Sequence, residues 1–99
     1  PVLDFKFGGV TGEALRPVAL RCVYDIRQAV KLPIIGTGGV SSGRDAIAMV
    51  MAGATAVGMG SAVYKGGVEV FGRVATEMAE WMEANGVRTL DEIRGAAHV

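Results

Sequence analysis

Two short runs, Gly36-Thr37-Gly38-Gly39 and Gly58-Met59-Gly60-Ser61, carry the residue types that let a backbone close around a small anion. Glycine has no Cβ to hold a ligand off, and a helix start just beyond it offers N–H groups and partial positive charge to a phosphate. Both runs follow an apolar, β-branched stretch and precede a helix-like pattern. If the two stretches are neighbouring parallel strands, about 4.8 Å apart, amides of both turns converge on one phosphate without a lysine or arginine. The hydroxyls of Thr37 and Ser61 can donate to the same anion. Glycines of this kind also make plain tight turns, and hydroxyls also cap backbone groups, so the residues alone leave both uses open.

The elements that must position these turns are readable on either side. Ile34-Ile35-Gly36, bounded by Pro33 and glycine, reads as a short strand, and Thr55-Ala56-Val57-Gly58-Met59 as a second. Between them Ala46, Ile47, Val50 and Met51 share one helical face, with Ser41 or Ser42 as N-cap and Gly53 as C-cap. Upstream, Val18, Cys22, Val23, Ile26, Ala29 and Val30 recur at the spacing of a buried helical face that begins near Arg16-Pro17 and stops at Lys31-Leu32-Pro33. Downstream, Phe71, Val74, Met78, Trp81 and Met82 form a core stripe on a helix from about Val68 to Ala84, ended by Asn85-Gly86. Thr89 and Glu92 have capping-box spacing, which predicts a last short helix over residues 90–94.

This order is a parallel βαβ unit with a right-handed crossover, followed by C-terminal helices. Both strands read as buried on both faces, which a two-stranded sheet cannot achieve alone. The chain is therefore expected to be part of a larger α/β domain, with further strands supplied upstream or by another chain. In a (β/α)₈ barrel the loops after the last two strands, with a short extra helix, form the recurrent phosphate site. Ser61-Ala62-Val63-Tyr64-Lys65 is placed to supply that helix.

Composition excludes several functions. With 51% hydrophobic residues and a mean hydropathy of +0.38, the 99 residues demand a packed core. Ten basic residues offset ten acidic ones, so no charge footprint points to nucleic acid or to an anionic membrane surface. No apolar run approaches the roughly 20 residues of a membrane span. One cysteine, Cys22, cannot close an internal disulfide, and a reducing cytoplasm suits it. Mid-helix on the apolar face, Cys22 is expected to be a small buried hydrophobe and not a nucleophile. His98 is expected to be exposed and to bind no metal, and Arg16 and Lys65 to be solvated. Pro1 fits either loss of an initiator methionine or a cut inside a longer polypeptide.

The runs GGVTGEALRPVALRCVYDI, LPIIGTGGVSSGRDAIAMVMAGATAVGMGSAVY and GVRTLDEIRGAAH together resemble the C-terminal portion, about the last quarter, of the (β/α)₈ TIM barrel of dihydroorotate dehydrogenase. The resemblance covers nearly all of residues 1–99 and implies a partial FMN-binding domain. It implies that Gly12 approaches the flavin, that Gly38 and Gly39 hold the FMN phosphate through backbone N–H groups, and that Gly60 and Ser61 complete the cradle. The implied reaction oxidises dihydroorotate to orotate in pyrimidine biosynthesis, with hydride passing to FMN. The family's catalytic base, flavin-contacting lysine and orotate-gripping asparagines fall upstream of the matched segment, so the isolated chain is expected to be inert. PVALRCVYDI is most similar to the branch that works with an iron-sulfur and FAD subunit and delivers electrons to NAD. Two alternatives stay open at this point: a segment of another phosphate-binding barrel, dihydropyrimidine dehydrogenase-like or glutamate synthase-like, and a non-catalytic fragment that self-associates. Open sheet edges make an oligomer the expected state in either case.

Overall fold

A computed structural model describes residues 12–98, apart from the side chains of Ser61 and Lys65. The glycine-rich run before Gly12, and the expectations for the Ser61 and Lys65 side chains, therefore lie outside the described residues. A 3₁₀ turn at Glu13–Leu15 leads into α1 (Arg16–Ala29), β1 (Ile35–Thr37), α2 (Gly43–Ala52), β2 (Ala56–Gly58), α3 (Ser61–Gly66), α4 (Glu69–Ala84) and a second 3₁₀ turn at Leu90–Glu92. The strands pair in parallel, with Ile35 opposite Ala56, Gly36 opposite Val57 and Thr37 opposite Gly58. That is the βαβ unit expected. The register starts the two glycine turns side by side.

Each boundary has a local cause. Pro17 sits in the first turn of α1, where its missing N–H costs nothing. Ser42 is the N-cap of α2, its side chain accepting the Asp45 N–H, and Gly53 closes that helix in a positive-φ conformation. Glu92 accepts the N–H groups of Arg88 and Thr89, so the carboxylate half of the expected capping box forms, on a 3₁₀ turn shorter than the helix expected. Residues 61–66 supply the short extra helix.

The core lies between the sheet and the helices that cover one of its faces. Met49 and Ala54 are fully buried there, with Ala19, Val23, Val70 and Val74 around them. Ile47, Val50 and Ile93 form a second cluster, against which Met78, Trp81 and Met82 pack. The α4 stripe is thus core, except that Phe71 is half exposed.

The two-stranded sheet leaves one face uncovered, as expected of strands that read as buried on both sides only within a larger domain. Ile35 is 73% exposed, while Gly36, its neighbour on the opposite face, is buried. The α1 face is a correction. Ala19 and Val23 point inward, whereas Val18 (58%) and Ile26 (47%) are exposed, and Cys22 is exposed with them instead of buried. Helical periodicity locates an apolar stripe about 100° wide. It does not say that a neighbour is present for every residue of that stripe.

The C-terminal segment completes the helix ends. The N–H groups of Gly95 and Ala97 donate to the carbonyls of Val50 and Met51, and His98 Nε2 lies 2.6 Å from the carbonyl of Ala52. Three successive carbonyls at the end of α2, which have no partner within the helix, are met this way. The His98 ring also stacks on Tyr24 at 3.9 Å, so His98 is half buried and not simply exposed.

Candidate functional site

The two glycine turns open into one cavity of about 250 Å³ at the carboxyl ends of β1 and β2. Gly38 and Gly39 line it from the first turn, Gly58 and Gly60 from the second, and Gly12 from the segment preceding α1. Four of the five residues singled out in the sequence, Gly12, Gly38, Gly39 and Gly60, therefore meet at one place. The fifth, Ser61, is the first residue of α3, directly after Gly60. Thr37 also faces the cavity. A Cβ on Gly58 would stand 2.6 Å from Thr37 Oγ1, so glycine at 58 is what leaves room for the threonine hydroxyl.

Gly38 and Gly39 are glycine for a second reason. Both have positive φ, 130° and 75°, where a side chain is strained. A Cβ at 38 would come within 2.5 Å of Ala19 Cβ, and one at 39 within 2.7 Å of Arg16 Cβ and of the Gly12 carbonyl oxygen. The first turn is pressed onto the start of α1. Gly60 differs: its φ is −122°, and a Cβ there would meet nothing within 4 Å.

A web of side chains holds the turn from behind. Asp45, 9% exposed, accepts from Arg16 Nη1 at 2.8 Å through Oδ1 and from the Ser41 N–H at 3.1 Å through Oδ2. Arg16 is therefore paired, which corrects the expectation of a solvated arginine. Ser41 Oγ lies 3.2 Å from Asp45 Oδ2 and 3.1 Å from Glu13 Oε1, and its one proton serves one carboxylate at a time. Arg73 Nη2 donates to the Ser41 carbonyl at 2.6 Å, and Glu77 Oε1 accepts the Gly43 N–H at 2.7 Å.

This web changes which amides can serve a ligand. The N–H groups of Ser41, Gly43 and Asp45 at the start of α2 are taken by Asp45, Glu77 and Ser42. The protein's own carboxylates occupy the place where the sequence suggested an anion at this helix end. Gly38 and Gly39 of the first turn and Gly60 of the second line the cavity and lie outside this web of capped N–H groups. None of the described lining residues is basic, and the one acidic residue among them, Glu13, has a carboxylate oxygen engaged by Ser41.

Sequence reasoning missed Glu13, Asp45, Arg73 and Glu77. The Ser42-to-Asp45 spacing of three was a visible capping signal. Nothing local announced Arg73 or Glu77, which reach the turn from α4 across more than 30 positions. Among the described residues no cluster of histidine, cysteine and carboxylates is arranged for a metal, and no helix is long and apolar enough to cross a membrane.

The family model described as dihydroorotate dehydrogenase matches residues 1–82. The catalytic subunit of dihydroorotate dehydrogenase B (NAD(+)) from Methanothermobacter thermautotrophicus is 44% identical over 98 residues, 99% of this chain and 32% of that protein. The protein of the same description from Pyrococcus furiosus is 42% identical over 97 residues, 98% of this chain and 32% of its own length. Ligand-free DHODH from Eimeria tenella superposes with a TM-score of 0.87 at 29% identity, over 93% of this chain and 26% of that one. The chain thus spans about a third of the curated relatives it matches.

Proposed function

The chain belongs to the dihydroorotate dehydrogenase family, and from that premise we propose that its two glycine turns hold the phosphate of FMN in an enzyme that oxidises dihydroorotate to orotate in pyrimidine biosynthesis. One observation carries the reading: turns from two paired parallel strands, plus Gly12, border a single cavity of about 250 Å³. A phosphate fits the donor set, because five of the described lining residues are glycines whose backbone is open to a ligand, and the neighbouring arginine is committed to Asp45.

In this reading Gly38 and Gly39 donate backbone N–H bonds to phosphate oxygens, Gly60 and Ser61 close the cradle from the second strand, and Gly12 borders the flavin. Backbone donors on a rigid turn bind an anion with little reorganisation, since the turn is already packed against α1. The bound flavin supplies the two-electron oxidant for dihydroorotate. Thr37 presents its hydroxyl on the cavity side of β1, and Leu15 and Ala62 give the cavity apolar walls that restrict water. No residue of this chain is assigned the proton-abstracting role. The curated relatives are named as a catalytic subunit, which supports a partner subunit; in this proposal that partner carries an iron-sulfur centre and FAD and passes electrons onward. A cytoplasmic location fits the single free thiol.

The test is a fluorescence titration of the chain with FMN, with inorganic phosphate and riboflavin as competitors. Saturable FMN binding displaced by phosphate but not by riboflavin is the expected result. A folded chain that binds no FMN, or one from which riboflavin displaces FMN as well as phosphate does, overturns the phosphate assignment. The chain alone is expected to oxidise no dihydroorotate.

A further inference from the structure

Ser41, in the loop between β1 and α2, is held through its N–H, its carbonyl and its hydroxyl. Its N–H goes to Asp45 of α2, its carbonyl receives Arg73 of α4, and its hydroxyl lies between Asp45 and Glu13. Asp45 is in turn fixed by Arg16 at the start of α1. Ser41 stands two residues after Gly39, so the glycine turn is pinned at one end by this web and along its length by its close contact with Ala19 and Arg16. The Asp45 carboxylate with Arg16 ties α1 and α2 to the turn, and Arg73 ties α4 to it through the Ser41 carbonyl.

We propose that Asp45 is a positioning residue for the phosphate site: its carboxylate, bridging Arg16 and the Ser41 N–H, sets where the Gly38–Gly39 amides point, and Arg73 holds the same turn from the carbonyl side. The proposal rests on the phosphate reading given above. Asp45 is not among the residues that line the cavity. Its other carboxylate contacts account for both oxygens, and the three donors reach it from two directions. Asparagine at 45 keeps the volume but replaces one acceptor oxygen with a donor NH₂. It therefore cannot serve Arg16 and Ser41 together. Methionine at 73 keeps the length of the stem and removes the donor to Ser41, at a position that is half exposed.

The experiment compares the full chain with D45N and R73M variants, using FMN and inorganic phosphate as probes, thermal midpoints as the control, and amide hydrogen exchange as the local readout. Expected are a loss of at least tenfold in FMN and phosphate affinity for D45N, a smaller loss for R73M, and faster exchange at Val40 and Ser41 than at core amides of α4. A purely structural role would lower the midpoint and speed exchange throughout, without a selective effect on phosphate. If D45N fails to fold, R73M carries the same comparison. A folded variant pair with unchanged phosphate affinity overturns the positioning role and leaves the phosphate reading standing. A wild-type chain that binds neither FMN nor phosphate overturns both.

Discussion

Gly39 and Gly60 look alike in the sequence and are under different constraints. Alanine at 39 would have to adopt a φ of 75° and would press its Cβ to 2.7 Å from Arg16 Cβ and the Gly12 oxygen. Such a residue costs on the order of 1–3 kcal/mol, so Gly39→Ala is expected to lower the thermal midpoint by several degrees and to weaken FMN binding with it. Alanine at 60 meets nothing within 4 Å. Gly60→Ala is expected to leave the midpoint unchanged while weakening FMN binding, and circular dichroism melts beside fluorescence titrations would separate the two. Equal melting losses for both variants would contradict the geometry. The sequence made Gly38, Gly39 and Gly60 visible as one device because composition at a strand end is a local signal. It could not separate them, because the atoms that crowd Gly39 belong to Arg16 and Gly12, more than 20 positions away.

At the scale of elements, α2 is the piece around which the rest is arranged. At its start Gly43 lies against α4 so closely that a Cβ would come 2.4 Å from Glu77 Cβ and 2.7 Å from the α4 backbone. Gly43→Ala is expected to force the two helices apart and cost roughly 1–3 kcal/mol, measurable by denaturant unfolding. At its end the carbonyls of Val50, Met51 and Ala52 are met by Gly95, Ala97 and His98. Replacing His98 with alanine removes the stack on Tyr24 and the bond to Ala52, and a loss of about 1–2 kcal/mol is expected. The helices themselves were legible. The expected span Val68–Ala84 differs from the observed Glu69–Ala84 by one residue, since Asn85-Gly86 is a local stop signal. The exposure of Cys22 was not legible, because α1 shows its Ala19–Val23 side to the sheet and leaves the Val18–Ile26 side uncovered.

Over the whole molecule, the uncovered surfaces form a consistent set. Ile35 on the open sheet face and Val18, Ile26 and Leu32 on and after α1 are exposed together. A groove of about 180 Å³ beside β2, bordered by Val57, Phe71 and Leu90, is apolar as well. Proteins that span three times this length match the chain end to end, and strands beyond β1 and β2 are what would cover such faces. By itself the chain is expected to bind an apolar dye such as ANS and to sediment with a concentration-dependent mass. A monodisperse monomer that binds no dye would show that these faces need no cover.

In the phosphate reading proposed above, Gly38 and Gly39 serve ligand and packing at once, and descent would treat them differently from Gly60. In a lineage that had given up its ligand, Gly38 and Gly39 would persist, since α1 still presses on them, while Gly60 would be free to drift to any small residue. Among diverged copies of this segment, the identity at position 60 is therefore the informative mark of whether the cavity is still in use.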